Sequence, residues 1–247
     1  MKNAALILVD MQNDFLPGGA LAVPGGDAII AVVNRIQPLF DLVVATQDWH
    51  PPGHESFASN HVLAKPFDQT TLHGLPQTLW PDHCVQGTTG AAFHKGLDIP
   101  HAELVIRKGY HRSIDSYSAF FENDHLTPTG LGGYLRERGL TRLTLVGLAF
   151  DYCVRYSAED ARAQGFGVTV IEKATRAIDL NGSAAVTRIR SKVAEVMVRR
   201  ANIMNRPGSA MTRSQSFPVQ EGRMKGKFRT TNNSFQDFSC KELRRNE

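Results

Sequence analysis

The chain has 247 residues, 42% of them hydrophobic, enough to bury one substantial core, so a single domain with an appendage is expected. Its net charge of +4 misleads: after residue 183 there are 14 Lys and Arg against 5 Asp and Glu, and before it 14 against 19, so the body is mildly acidic and net charge does not argue for nucleic-acid binding. Three cysteines at unrelated spacings (Cys84, Cys153, Cys240), an apolar run after Lys2 that stops at Asp10, and no apolar stretch of membrane length predict a cytoplasmic protein without disulfides, secretory signal or membrane partner.

Ala4 to Val9 is a continuous apolar run ending at Asp10, the pattern of a central parallel strand with a functional residue at its carboxyl end. Pro17-Gly18-Gly19 and Pro24-Gly25-Gly26 punctuate the following loop. Asp27 is then expected to cap a helix carrying Ile29, Val32, Val33 and Ile36 at helical spacing. Leu42 to Ala45 is a second strand, delivering Gln47-Asp48-Trp49-His50. Residues 51–95 are rich in Pro, Gly and His and read as a long loop that something must pin. Leu104 to Ile106 is a third strand ending at Arg107-Lys108-Gly109, and Leu126 to Arg138 reads as a helix stopped by Gly139. Leu143 to Val146 is a fourth strand. Val154, Ala158 and Ala161 then share a helical face up to a stop at Gly165, Val168 to Ile171 is a fifth strand, and Asn181 or Ser183 opens a last helix. Strands alternating with helices predict the α/β class: a doubly wound, mostly parallel sheet with helices on both faces, three layers in all. From Ala201 onward periodicity disappears. The expected organisation is a body over 1–200 and a basic, disordered tail over 201–247. Its scattered charges favour solvation over a nucleic-acid or membrane contact.

In such a sheet ligands sit outside the carboxyl ends of the strands, and Asp10, Asp48, Lys108 and Cys153 each follow an apolar run toward that edge. Cys153 stands where a strand hands over to a helix. The open N–H groups and positive dipole end there favour a thiolate and can hold an oxyanion. That stretch alone fits a nucleophile and a buried structural cysteine equally well. Asp48-x-His50 places two ligand-bearing side chains on one side of an extended segment, and His54, His61, His73 and His83 lie in the loop beyond. This cluster points to a metal. Mixed His and carboxylate ligands suit Zn²⁺, Fe²⁺ or Mn²⁺, and spacing does not choose among them.

Several segments occur in a fixed order: Leu8-Val9-Asp10-Met11-Gln12-Asn13-Asp14-Phe15, Gly19-Ala20-Leu21-Ala22-Val23-Pro24, Gln47-Asp48-Trp49-His50-Pro51, Ser56-Phe57-Ala58-Ser59, Gly74-Leu75-Pro76-Gln77, Trp80-Pro81-Asp82-His83-Cys84-Val85-Gln86, Asp115-Ser116-Tyr117-Ser118-Ala119-Phe120-Phe121 and Gly147-Leu148-Ala149-Phe150-Asp151-Tyr152-Cys153-Val154. In them the chain resembles the nicotinamidase/pyrazinamidase group of the isochorismatase-like cysteine hydrolases. The resemblance implies an amidohydrolase that converts nicotinamide to nicotinate and ammonia in NAD salvage, through a thioester, and that also accepts pyrazinamide. It implies a triad of Asp10, Lys108 and Cys153 and one divalent metal ion on Asp48, His50 and His83. It further implies an oxyanion hole from the N–H groups of Ala149 and Cys153 with a cis peptide bond before Ala149, and a pocket lined by Phe15, Leu21, Trp80 and Tyr117. Lys108 matches better than Lys95, because it follows a strand and precedes Asp115-Ser116-Tyr117 at the family's interval. The implied partner is a small-molecule substrate, with no nucleic acid, and a homo-oligomer is compatible with it. Two departures stand out. Phe150 replaces a small polar residue and is expected to narrow the pocket rim. After Ser183 the chain, crowded by Arg188, Arg190, Lys192, Arg199 and Arg200, does not resemble the family's last helix and strand. The alternatives are a related amidohydrolase acting on a carbamoyl or ureido substrate, whose relatives generally lack the metal set, and an inactive body with a nucleic-acid-binding tail.

Overall fold

The computed structural model describes residues 3–193 and 196–199 of the chain. The expected tail over 201–247 lies outside them. The described strands are β1 (Ala4–Val9), β2 (Leu42–Asp48), β3 (Gln69–Leu72), β4 (Leu75–Thr78), β5 (Leu104–Lys108), β6 (Arg142–Leu148), β7 (Gly167–Arg176) and β8 (Met197–Arg199). Six of them form one sheet in the order β5-β2-β1-β6-β7-β8, every neighbouring pair parallel. The chain starts in the middle, at β1, builds outward through β2 to β5, then returns to β6 and builds the other way. The strand order therefore reverses between β1 and β6, and a crevice opens outside their carboxyl ends. Asp10 and Cys153 follow these two strands.

All six residues of β1 are buried, which is why the run is unbroken rather than alternating. Leu6 and Leu8 pack into one core with Ile29, Ile30, Val33 and Ile36, whereas Ala5, Ile7 and Val9 pack on the other face with Leu131, Leu135, Val154, Ala158 and Ala161. Helix α1 (Ile30–Ile36) thus covers one face, and α2 (Leu131–Glu137) and α3 (Cys153–Ala163) the other. Gly147, at φ 113°, lets β6 approach β1, because a Cβ there would strike the Val9 carbonyl.

Four expectations change. Asp27 caps nothing: it lies inside a 3-10 turn, Gly26–Ile29, that leads into α1 without a side-chain cap. The helix expected from Leu126 begins only at Leu131. Pro128 lacks an N–H and disfavours helix before it, Gly130 sits at φ 94°, and Leu126 stays exposed. Residues 51–95 are not a structureless loop. β3 and β4 form a hairpin whose two turn residues, His73 and Gly74, both have positive φ, and bridges His50–Val85 and Phe57–Trp80 pin the rest. The helix expected from Asn181 or Ser183 forms as α4 (Ser183–Val193), and the segment read as unlike the family's last helix and strand also supplies a last strand, β8, paired with Thr169–Ile171 of β7. Among the described residues no helix is long and apolar enough to cross a membrane.

Candidate active site

The tips of β1, β2 and β5 and the start of α3 bring Asp10, Asp48, Lys108 and Cys153 together. Lys108 is fully buried, an unfavourable place for an ammonium without partners. Its Nζ lies 3.0 Å from Asp10 Oδ2 and 3.0 Å from Asp48 Oδ1, donates to the Ser116 carbonyl at 2.8 Å, and stands 3.5 Å from Cys153 Sγ. Burial alone lowers the basicity of Lys108, but the two carboxylates override it and hold the group charged well above the ordinary lysine range. Thr46 fixes Asp10 from the neighbouring strand, donating to Oδ1 at 2.6 Å and accepting from the Asp10 N–H. Gln12 does the same for Asp48, accepting from its N–H and donating to its carbonyl, both at 2.8 Å.

Cys153 opens α3, no side chain caps that end, and the Val154 N–H is taken by the Ala149 carbonyl at 3.1 Å, so the thiol sits on the first residue of the helix. The Leu148–Ala149 peptide is cis. Asp151 anchors the intervening turn by accepting from the N–H groups of Ile178 and Asp179 and from the Ser183 hydroxyl, so the start of α4 supports the cysteine loop. Burial pushes the Cys153 thiol well up, Lys108 opposes this, and Asp10 and Asp48 add to it. Burial also raises Asp10, against Lys108. Lys108 Nζ adjoins both groups, 3.0 Å from Asp10 Oδ2 and 3.5 Å from Cys153 Sγ, and so brings carboxyl and thiol to one place.

Asp48 turns its other oxygen to two histidines: Oδ2 is 3.1 Å from His50 Nε2 and 3.3 Å from His83 Nε2. The opposite ring nitrogens are occupied, His50 Nδ1 with the Gly109 carbonyl at 2.9 Å and His83 Nδ1 with the Pro81 carbonyl at 2.8 Å. A neutral imidazole has one N–H; spent on a carbonyl, it leaves a bare Nε2 lone pair facing a carboxylate oxygen. Three ligand atoms within 4.8 Å of one another, with both rings fixed from behind, fit a metal ion. So does the charge balance, because Asp10 and Asp48 are buried against one ammonium and Asp115 is buried 3.9 Å from His50 Nε2. Gly109, at φ 66°, is required here: a Cβ would lie 2.5 Å from His50 Cε1. The wider histidine cluster does not converge. His54 is held by Ser56 and the Ile114 carbonyl, His61 by the Glu55 carbonyl, and His73 by the Glu55 side chain.

Residues 4–200 match the isochorismatase domain. The chain belongs to the isochorismatase family. It is 56% identical over 182 residues to a nicotinamidase of Acinetobacter baylyi, covering 74% of this chain and 85% of that protein. Its structure is similar to that of an Acinetobacter baumanii nicotinamidase/pyrazinamidase (TM-score 0.79, 51% identity, 80% of this chain and 96% of the other). It is also similar to a Pyrococcus horikoshii pyrazinamidase in complex with zinc (TM-score 0.66, 36% identity, 81% and 99%). The family match runs through α4 and β8, so the departure read after Ser183 is one of composition rather than architecture.

Within this isochorismatase-family site, Phe15, Leu21, Trp80 and Tyr117 line one small cavity together with Asp48, His83, Asp115, Tyr152, Cys153 and Ile178. Its free volume is about 20 Å³, room for roughly one water. A larger cavity, about 500 Å³, lies among Asn13, Asp14, Leu16, Asp27, Gly90 and His94 and includes none of the converging residues. Phe150 does not narrow the rim: it is buried in the opposite core with Val154 and Ala158. Sequence reasoning missed Gln12, Thr46, Asp115 and Glu122. The spacing Asp10-x-Gln12 off a strand end could have flagged Gln12, whereas Thr46 reads simply as a strand former.

Glu122 is buried behind Lys108, with Oε2 accepting from the Gly109 N–H at 3.3 Å and Oε1 without a hydrogen-bond partner. Burial pushes its carboxyl up to about 7 from 4.5, against Lys108 and hydrogen bonds from Ser116 and Gly109. The folded state therefore holds this proton more tightly than the unfolded chain. The stabilisation is complete below about pH 4.5 and is lost as pH rises through about 7. Glu122→Gln is expected to flatten the fall in unfolding free energy from about pH 4.5 to 7, by up to about 3 kcal/mol. Urea melts of both proteins at each pH check this, and parallel profiles would exclude Glu122 as the source.

Proposed function

We propose that the chain is a metal-dependent nicotinamidase that hydrolyses nicotinamide, and pyrazinamide, to the acid and ammonia through a thioester on Cys153. The observation that carries this reading is the placing of one buried ammonium, Lys108, against Asp10, Asp48 and Cys153 beside the Asp48, His50 and His83 set. The similarity to named nicotinamidases and pyrazinamidases supports the substrate class, and the histidine–carboxylate set supports a cation, which relatives of the carbamoyl-cleaving kind generally lack.

Asp10 takes the thiol proton as Cys153 Sγ attacks the carboxamide carbon, and Lys108 compensates the negative charge that collects there. The Ala149 and Cys153 N–H groups stabilise the oxyanion. Asp10 then gives its proton to the departing nitrogen, ammonia leaves, and the acyl group remains on sulfur as a thioester. Asp10 next draws a proton from water as it attacks the thioester, and the acid departs as the thiol is restored. Asp48, His50 and His83 would hold a divalent ion, Zn²⁺, Fe²⁺ or Mn²⁺, whose contribution when bound is to orient the ring through its nitrogen. We place the enzyme in the cytoplasm, in NAD salvage, with its activity in the body over 1–200.

Ammonia release from nicotinamide, lost with a strong chelator and restored by one of these ions, is the expected result. Activity indifferent to chelation would remove the metal from the reading, and no ammonia at all would remove the substrate.

A further inference from the structure

Among the described residues, the hydrogen bonds around Tyr117 leave its hydroxyl proton without an acceptor. Trp80 Nε1 lies 3.1 Å from the hydroxyl oxygen, and an indole nitrogen only donates. Gln77 Nε2 also lies 3.1 Å away, but sits 2.7 Å from the Thr78 carbonyl and 2.7 Å from Asp115 Oδ2. Two acceptors at that position fix it as the NH₂ end of the amide, and they consume both of its protons. The Tyr117 oxygen therefore faces donors on the protein side, and its own proton is left for the cavity it lines with Cys153 and Asp48. A buried hydroxyl with an unspent proton is costly unless something accepts it, water in the free protein and ligand in the complex.

The geometry points to Tyr117 as a specificity-determining donor that reads a ring acceptor of the bound amide other than the one facing the metal set. This rests on the proposed amidase reaction. There the carboxamide oxygen is taken by the Ala149 and Cys153 N–H groups, and the first ring nitrogen faces Asp48, His50 and His83. A pyridine carboxamide has no further acceptor in its ring. A diazine carboxamide has a second nitrogen, and Tyr117 O–H is a donor on the cavity wall that can meet it.

The test is kcat/KM for nicotinamide and pyrazinamide in the wild-type and Tyr117→Phe enzymes. The expected result is that the pyrazinamide-to-nicotinamide ratio falls about five- to tenfold in the variant, the worth of one neutral hydrogen bond. Titration calorimetry with the two product acids, pyrazinoate and nicotinate, gives the same comparison without turnover and applies if the variant is slow. A ratio unchanged within about twofold, whether both substrates fall together or neither moves, would overturn the assignment and leave Tyr117 as a wall or as a partner of the shared carboxamide. A wild-type enzyme that releases ammonia from neither amide would instead overturn the parent reading.

Discussion

Cys153→Ala is expected to abolish ammonia release, lowering kcat by at least about four orders of magnitude, while the protein stays folded and retains its metal. The sulfur lines the small cavity 3.5 Å from Lys108 Nζ, and alanine leaves no nucleophile at that position. The change is structurally mild. Cys153 packs against a core of Val154, Ala158 and Phe150, and removing one sulfur from it leaves little void. None of the three converging metal-type ligands is touched. Circular dichroism and elemental analysis on the assayed sample separate lost chemistry from lost fold. Near-normal ammonia release from this variant would end the covalent mechanism.

His50→Ala is expected to weaken metal binding more than about 100-fold, beyond the usual cost of losing an outer-shell partner, and to silence turnover with it. The substitution removes the Nε2 atom facing Asp48 Oδ2 and frees the Gly109 carbonyl that holds the ring from behind. His54 supplies the control. Its ring stacks on His50 at 4.4 Å between centroids, yet both of its nitrogens are engaged elsewhere, with Ser56 and Ile114. His54→Ala should keep the metal. Equal stoichiometry in His50→Ala and wild type after dialysis would strike His50 from the ligand set.

The parts of this site legible in the sequence are those dictated by burial. Asp10, Asp48, Lys108 and Cys153 each end or follow an apolar run, and a parallel sheet turns four such ends toward one edge. Strand extents were shorter in the sequence than in the fold. The polar Thr46, Gln47 and Asp48 continue β2 because the ladder with β5 holds them, not because they alternate. The β3–β4 hairpin was hidden because His73-Gly74 is a weaker turn signal than Asn-Gly and Pro76 interrupts the strand pattern. Which of five loop histidines converge was also illegible. His50 and His83 meet only because the Cys84 carbonyl and the Gln86 N–H pair with the backbone of His50, a contact across more than thirty residues. Asp115 was legible only as part of the Asp115-Ser116-Tyr117 segment and Glu122 carries no local pattern, so the role of each lies in what it is buried against.

Asp48 faces two ways, one oxygen toward Lys108 and the other toward the imidazoles. Whatever draws electron density through the second oxygen changes how firmly the first one grips the ammonium, and that ammonium is the cation nearest the sulfur. In the proposed reaction a cation held by Asp48, His50 and His83 would therefore act on the Cys153 thiol through one shared carboxylate, and the acidity of the thiol would report on occupancy of a position it never touches.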